Sequence, residues 1–135
     1  MRLHRILLSS LLATLLLSAI ACNPPESRVA GTWKNDWAIE HGDILDKGGL
    51  VFGADGTMTH SVFMMDGSSA ESKGTYEYVD GFLVVTETES FKTDPAGIKS
   101  ELELQVWGGQ VTFLASNEIE ILDPINGPIT LIRHK

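Results

Sequence analysis

Apolar and polar side chains alternate with a period of two along most of this chain, and Gly, Pro, Asp or Asn break the runs at short intervals. That pattern predicts short antiparallel strands rather than helices. The clearest unit is 74–85. Gly74-Thr75-Tyr76-Glu77-Tyr78-Val79 reads as a strand, Asp80-Gly81 as a tight turn, and Phe82-Leu83-Val84-Val85 as the returning strand. Asp-Gly is a strong hairpin signal because both residues tolerate the positive φ of a primed turn. Tyr76 and Tyr78 share one face of the outgoing strand, and Phe82 and Val84 share a face of the returning one. The same device is expected at Asp55-Gly56 and Gly108-Gly109.

The remaining elements follow in order. Gly31-Thr32-Trp33 predicts a first strand with Trp33 turned inward and Trp37 and Ile39 on the same parity; the stretch extends or breaks near Asn35-Asp36. Charges and glycines from Glu40 to Gly49 predict a loop or distorted edge. A short strand is expected at 50–52 and a long one at 57–65, with Met58, His60, Val62 and Met64 on one face. The returning strand of the hairpin continues to Phe91. Residues 98–107 alternate most cleanly: Ile98, Ser100, Leu102, Leu104 and Val106 lie against Lys99, Glu101, Glu103 and Gln105, the signature of a half-buried antiparallel strand. Strands at 110–115, 118–122 and 129–134 complete a count of eight or nine, with no convincing helix. A small all-β, up-and-down barrel of about eight strands is favoured, because closure leaves no hydrogen-bonding edges. A two-sheet β-sandwich is the competing arrangement.

The N-terminus departs from this pattern. Arg2 and Arg5 precede an apolar run from Ile6 to Ala21, and Ala19-Ile20-Ala21 stands directly before Cys22, the single cysteine among 135 residues. A basic start, an apolar core and small residues describe a secretory leader. The junction resembles the lipobox of bacterial lipoproteins, which implies cleavage before Cys22 and a lipid on its thiol. Residues 1–21 then form the signal peptide, 22–28 the lipidated cysteine and a Pro-containing tether, and 29–135 the barrel domain. The resemblance further implies a lipid-anchored protein of the cell envelope. With Asn23 rather than Asp after the cysteine, it implies the outer membrane facing the periplasm in a Gram-negative host. Arg2 and Arg5 are two of ten basic residues, so the 114 residues left carry eight against 18 acidic ones, a net charge of −10. That balance argues against nucleic acid as a partner.

Gly31-Thr32-Trp33, Phe52 with Asp55-Gly56-Thr57, Gly74-Thr75-Tyr76 with Asp80-Gly81, and the closing Leu131-Ile132-Arg133 together resemble the small bacterial lipocalin-like domains. The resemblance implies a calycin-like barrel, with Trp33 at the closed base and the Arg133 guanidinium over its indole. It implies a carrier of a small hydrophobic ligand rather than an enzyme. The apolar and aromatic positions from which a pocket is expected are Met58, His60, Met64, Tyr76, Tyr78 and Phe82. A structural, protein-interaction or inhibitor module of the envelope without a cavity is the alternative.

No catalytic constellation stands out, and no cofactor or metal is expected. Glu40, His41, Asp43 and Asp46 bunch in one loop, but their spacing matches no recurrent calcium or zinc motif. Glu87 with Glu89, and Glu101 with Glu103, share strand faces, as exposed carboxylates at i and i+2 ordinarily do.

Overall fold

A computed structural model describes residues 28–134. The leader and residues 22–27, Cys22 among them, lie outside the described residues. The elements are β1 (Gly31–Lys34), α1 (Asp36–His41), β2 (Ile44–Phe52), β3 (Thr57–Met64), β4 (Ser69–Val79), β5 (Phe82–Thr93), β6 (Lys99–Glu101), β7 (Val106–Ala115), β8 (Glu118–Asp123) and β9 (Gly127–His134).

Eight strands close into an antiparallel barrel in the order β4-β3-β2-β1-β9-β8-β7-β5, with β5 returning to β4. Each pairs with its neighbour in sequence, apart from β6, so the barrel is up-and-down. The first and last strands meet through Trp33 opposite Arg133. The ninth strand, β6, lies outside the closed ring against the far half of β5, with Phe91 opposite Glu101.

The 74–85 hairpin forms as its sequence dictates. Asp80 and Gly81 take φ of 52° and 80°, the left-handed pair a primed two-residue turn requires. Tyr78 faces Leu83 and Tyr76 faces Val85 across the ladder, all four buried. Phe82 and Val84 therefore point outward, and Phe82 is 55% exposed. Gly108-Gly109 is not a turn. It lies inside β7, where a Cβ on Gly108 would strike the Leu83 carbonyl and one on Gly109 the Leu122 carbonyl. Close approach of neighbouring backbones selects the glycines there.

Two further expectations change. The chain breaks after β1 into a helix, α1, whose N-cap is Asn35: its side-chain oxygen accepts the Ala38 N–H at 3.0 Å. Trp37 consequently leaves the parity of Trp33 and is 70% exposed, stacked on the His41 ring at 5.0 Å. Residues 98–107 do not form a half-buried strand. Lys99–Glu101 pairs alone as β6 and Val106-Trp107 open β7, while Ile98, Leu104 and Val106 are 66%, 53% and 63% exposed. This segment crosses the rim beside β5, so nothing covers its apolar side.

The core fills one half of the barrel. Trp33, Phe52, Met58, Leu83, Val85, Ile119 and Ile121 are fully buried, with Trp107, Phe113 and Ile129 packed on them. Each such side chain contributes roughly 1.5–3 kcal/mol. The turns at this end are short: 53–56, 80–81 and 116–117. Those at the other end, 35–43, 65–68, 94–105 and 124–126, include the long ones, and they frame the mouth.

Candidate functional site

The closed end is sealed by the segment preceding β1. Trp33 Nε1 donates to the Val29 carbonyl at 2.8 Å. The Arg133 guanidinium lies 4.4 Å from the Trp33 ring. Its Nη1 donates to the Ala30 carbonyl at 2.8 Å and its Nη2 to the Arg28 carbonyl at 2.6 Å. Arg28 in turn sits 4.2 Å over the Phe113 ring. The Tyr76 hydroxyl donates to the Gly53 carbonyl at 2.7 Å, and its ring packs against Phe52 at 4.7 Å. This end is a plug, with large side chains and satisfied carbonyls.

The open end holds a cavity of two lobes. The first, about 330 Å³, is largely apolar. Trp33, Leu50, Val62, Trp107, Ile129 and Leu131 form its wall, and Ala38 and Ile39 of α1 its cover. Asn35 caps that helix, and the contact of His134 Nε2 with Asp36 Oδ1 at 3.1 Å ties its start to β9. The second lobe, about 360 Å³, is more polar. Ala70 and Ser72 of β4, Ser90 of β5, and Leu102 and Glu103 of the crossing segment surround it, with Glu71 at its margin. His60, Glu87 and Gln105 line both lobes and mark where they meet.

Each of these three residues reaches the junction for a local reason. His60 lies on the inward parity of β3 with Met58 and Val62. Burial pushes its pKa down, so the ring is neutral at neutral pH. Among the described residues its imidazole has no hydrogen-bond partner. Glu87 keeps the inward parity of Leu83 and Val85, and a bulge follows it: Lys73 faces Glu89 and Gly74 faces Glu87, which leaves Thr88 without a partner across the ladder and turns Ser90 inward. The Glu87–Glu89 pair is thereby split, with Glu89 outside. Gln105 and Glu87 are joined backbone to backbone, the Glu87 N–H donating to the Gln105 carbonyl at 3.0 Å. The Gln105 N–H donates to Glu87 Oε2 at 3.3 Å.

Of the six residues from which a pocket was expected, only His60 lines the cavity. Met58, Tyr76 and Tyr78 are buried in the plugged half. Met64 stands near the mouth at the end of β3 but borders neither lobe, and Phe82 faces outward. The alternation had marked the barrel's inward face correctly for Met58, Tyr76 and Tyr78; it could not distinguish the filled half from the empty one. Ile129, Glu87 and Gln105 were missed. The Asn35-Asp36 cap was the readable sign of a helix over the mouth.

Glu40, His41, Asp43 and Asp46 do not share one loop: the first two end α1, and Asp46 lies in β2. Asp46 accepts from Lys34 Nζ at 2.5 Å, which holds its carboxyl below the usual range. His41 Nδ1 lies 3.0 Å from the Trp37 carbonyl. Among the described residues no group of three or more His, Cys, Asp or Glu is placed to hold a metal ion. Comparisons with protein-family models, curated proteins and solved structures give no match.

Proposed function

We propose that this chain is a non-enzymatic, lipid-anchored envelope protein whose lipocalin-like barrel binds a small hydrophobic ligand at its open end. The carrying observation is the apolar lobe of about 330 Å³, walled by two tryptophans and four aliphatic side chains. That volume is within the range of small-molecule sites, and an eight-strand barrel has room for one such ligand when its interior is not filled. The Trp33–Arg133 stack at the plugged end and the first-to-last strand closure support the lipocalin-like reading. The pattern before Cys22 supports the anchor.

The test is titration of the full chain with a neutral apolar fluorophore such as Nile red. Saturable binding at one site per chain is expected, and Val62→Trp, which places an indole in the apolar lobe, should remove it while preserving the β-sheet circular dichroism signal. Binding that survives Val62→Trp would locate the dye elsewhere and defeat the reading. The mass of the protein extracted from envelopes tests the anchor separately.

A second reading, an interaction module, is favoured by one observation. Phe82 of β5 and Leu122 of β8 stand exposed on either side of Gln110, with Val84 beside them, on the outer wall. Cross-linking in intact envelopes that recovers one reproducible partner, lost in Phe82→Ser, would support it.

A further inference from the structure

We propose that the ligand is an apolar molecule with a cationic end, an amine, whose body occupies the apolar lobe and whose ammonium sits at the junction of His60, Glu87 and Gln105. This rests on the ligand-binding reading and adds the charge of the ligand.

A ligand long enough to fill the apolar lobe ends where His60, Glu87 and Gln105 begin, and beyond them the wall is Ser72, Ser90 and Glu103. The second lobe is lined by Glu87 and Glu103 and by no Lys or Arg, while Glu71 alternates outward between Ala70 and Ser72. The two lysines on the first lobe are at its outer rim and engaged: Lys34 with Asp46, and Lys47 over the Phe63 ring at 4.5 Å. No free cation awaits an anionic head group among the lining residues.

His60 reinforces this choice. Its ring is neutral and unpartnered among the described residues, so it adds no positive charge and offers a nitrogen that accepts a hydrogen bond. Glu87 has one carboxylate oxygen engaged by a long bond to the Gln105 N–H. An ammonium at the junction donates to both His60 and Glu87, in surroundings drier than bulk water, where such bonds are strong. A fatty acid of the same length would set its carboxylate beside those of Glu87 and Glu103. An alcohol could form one of the hydrogen bonds without the charge attraction.

The experiment compares dodecylamine, dodecanol and dodecanoate, each below its micelle concentration, on the full chain at neutral pH. Binding is followed by the fluorescence of Trp33 and Trp107, both on the apolar lobe, and by calorimetry. The amine should bind about tenfold or more tightly than the alcohol, and the acid most weakly. Glu87→Gln should bring the amine to the level of the alcohol and leave the alcohol unchanged. Glu103→Gln, at an exposed position where folding is not in question, should reduce the amine's advantage by a smaller factor. Equal binding of all three, tighter binding of the acid, or an amine preference unmoved by both variants overturns the charge assignment and leaves the cavity reading standing. An amine preference that persists in Val62→Trp places the amine on the acidic surface and also overturns it. If a folded chain binds none of the three, the cavity reading fails and this inference with it.

Discussion

Replacing Arg133 by alanine tests how far the plug stabilises the barrel. The side chain stacks on Trp33 at 4.4 Å and donates to the carbonyls of Ala30 and Arg28. A cation–π contact of this kind contributes roughly 0.5–2 kcal/mol, and each hydrogen bond from a charged donor about 1.5–3 kcal/mol. The sum overstates the loss. The Arg28 contact is exposed to water, and Nε is buried without a partner, so part of the gain already offsets desolvation. A net loss of about 2–4 kcal/mol remains, a large share of the roughly 5–15 kcal/mol that holds a domain folded. Urea denaturation should show a lower midpoint at unchanged m, and the thermal midpoint should fall by roughly 10–15 °C. Arg133→Lys retains the charge but not the planar fork, and should recover less than half of the loss. A double-mutant cycle with Trp33→Phe should give a coupling of about 1 kcal/mol. Native-state hydrogen exchange should rise first at residues 28–34, where both bonded carbonyls and the indole reside. An Arg133→Ala protein within about 0.5 kcal/mol of the parent, with exchange unaltered at those amides, would show that the segment before β1 is held without the guanidinium.

The remaining predictions concern acid and close packing. Burial lowers the His60 pKa below its unfolded value of about 6.5, so its neutral form stabilises the fold above that pH, and the contribution is lost as pH falls below it. Asp123, Asp66 and Asp55 are held below the usual carboxylate range by backbone N–H groups at Asp123 and by the Ser68 and Thr57 hydroxyls at the other two; their contribution persists to lower pH and disappears as pH falls through their folded values. Urea midpoints should therefore decline in two stages on acidification, and His60→Gln should flatten the upper stage alone. Asp123→Ala removes the acceptor for the N–H groups of Gly108, Ile125 and Asn126, and should lower the midpoint at neutral pH while shrinking the lower stage; Asp123→Asn should retain part of the effect. Gly109→Ala drives a methyl into the Leu122 carbonyl, which belongs to the β7–β8 ladder and cannot swing aside; a loss of about 2 kcal/mol or more in thermal or urea unfolding is expected.

Local chemistry made some of these features legible and concealed others. The 74–85 hairpin was readable because turn residues and alternation agree there. The parity of its return strand was not, since Phe82-Leu83-Val84-Val85 is apolar on both faces and only the register with Tyr76 and Tyr78 decides which pair goes inside. Residues 98–107 show the opposite case. Alternation states that two faces differ, not which of them meets a second layer. At the rim the polar members Glu103 and Gln105 line the cavity while Leu104 and Val106 face solvent. Gly108-Gly109 and Asp80-Gly81 look alike as turn signals, but the first pair lies within a strand, where neighbouring backbones pass close and Gly108 takes φ of 133°, and the second forms a two-residue turn. Helix α1 is too short to show a period of 3.6, so its capping residue was the sole local sign.

The same strands that plug one end of the barrel leave the other hollow. On β4 the inward positions run Ala70, Ser72, Gly74, Tyr76, Tyr78, and on β5 they run Leu83, Val85, Glu87, Ser90. In an eight-strand barrel, large inward side chains are just sufficient to fill the interior. The tyrosines, Leu83 and Val85 do so near the 80–81 turn. Ala70, Ser72 and Ser90 are too small to do so near the mouth, and Glu87, just before the bulge at Thr88, stands at the transition. The cavity thus follows from a gradient of side-chain size along two paired strands. Its polarity follows from which small residues were used: serines and a carboxylate on β4 and β5, against Leu50, Val62, Ile129 and Leu131 on β2, β3 and β9. One wall is greasy and the other is acidic, and that asymmetry is what an amphipathic amine would read.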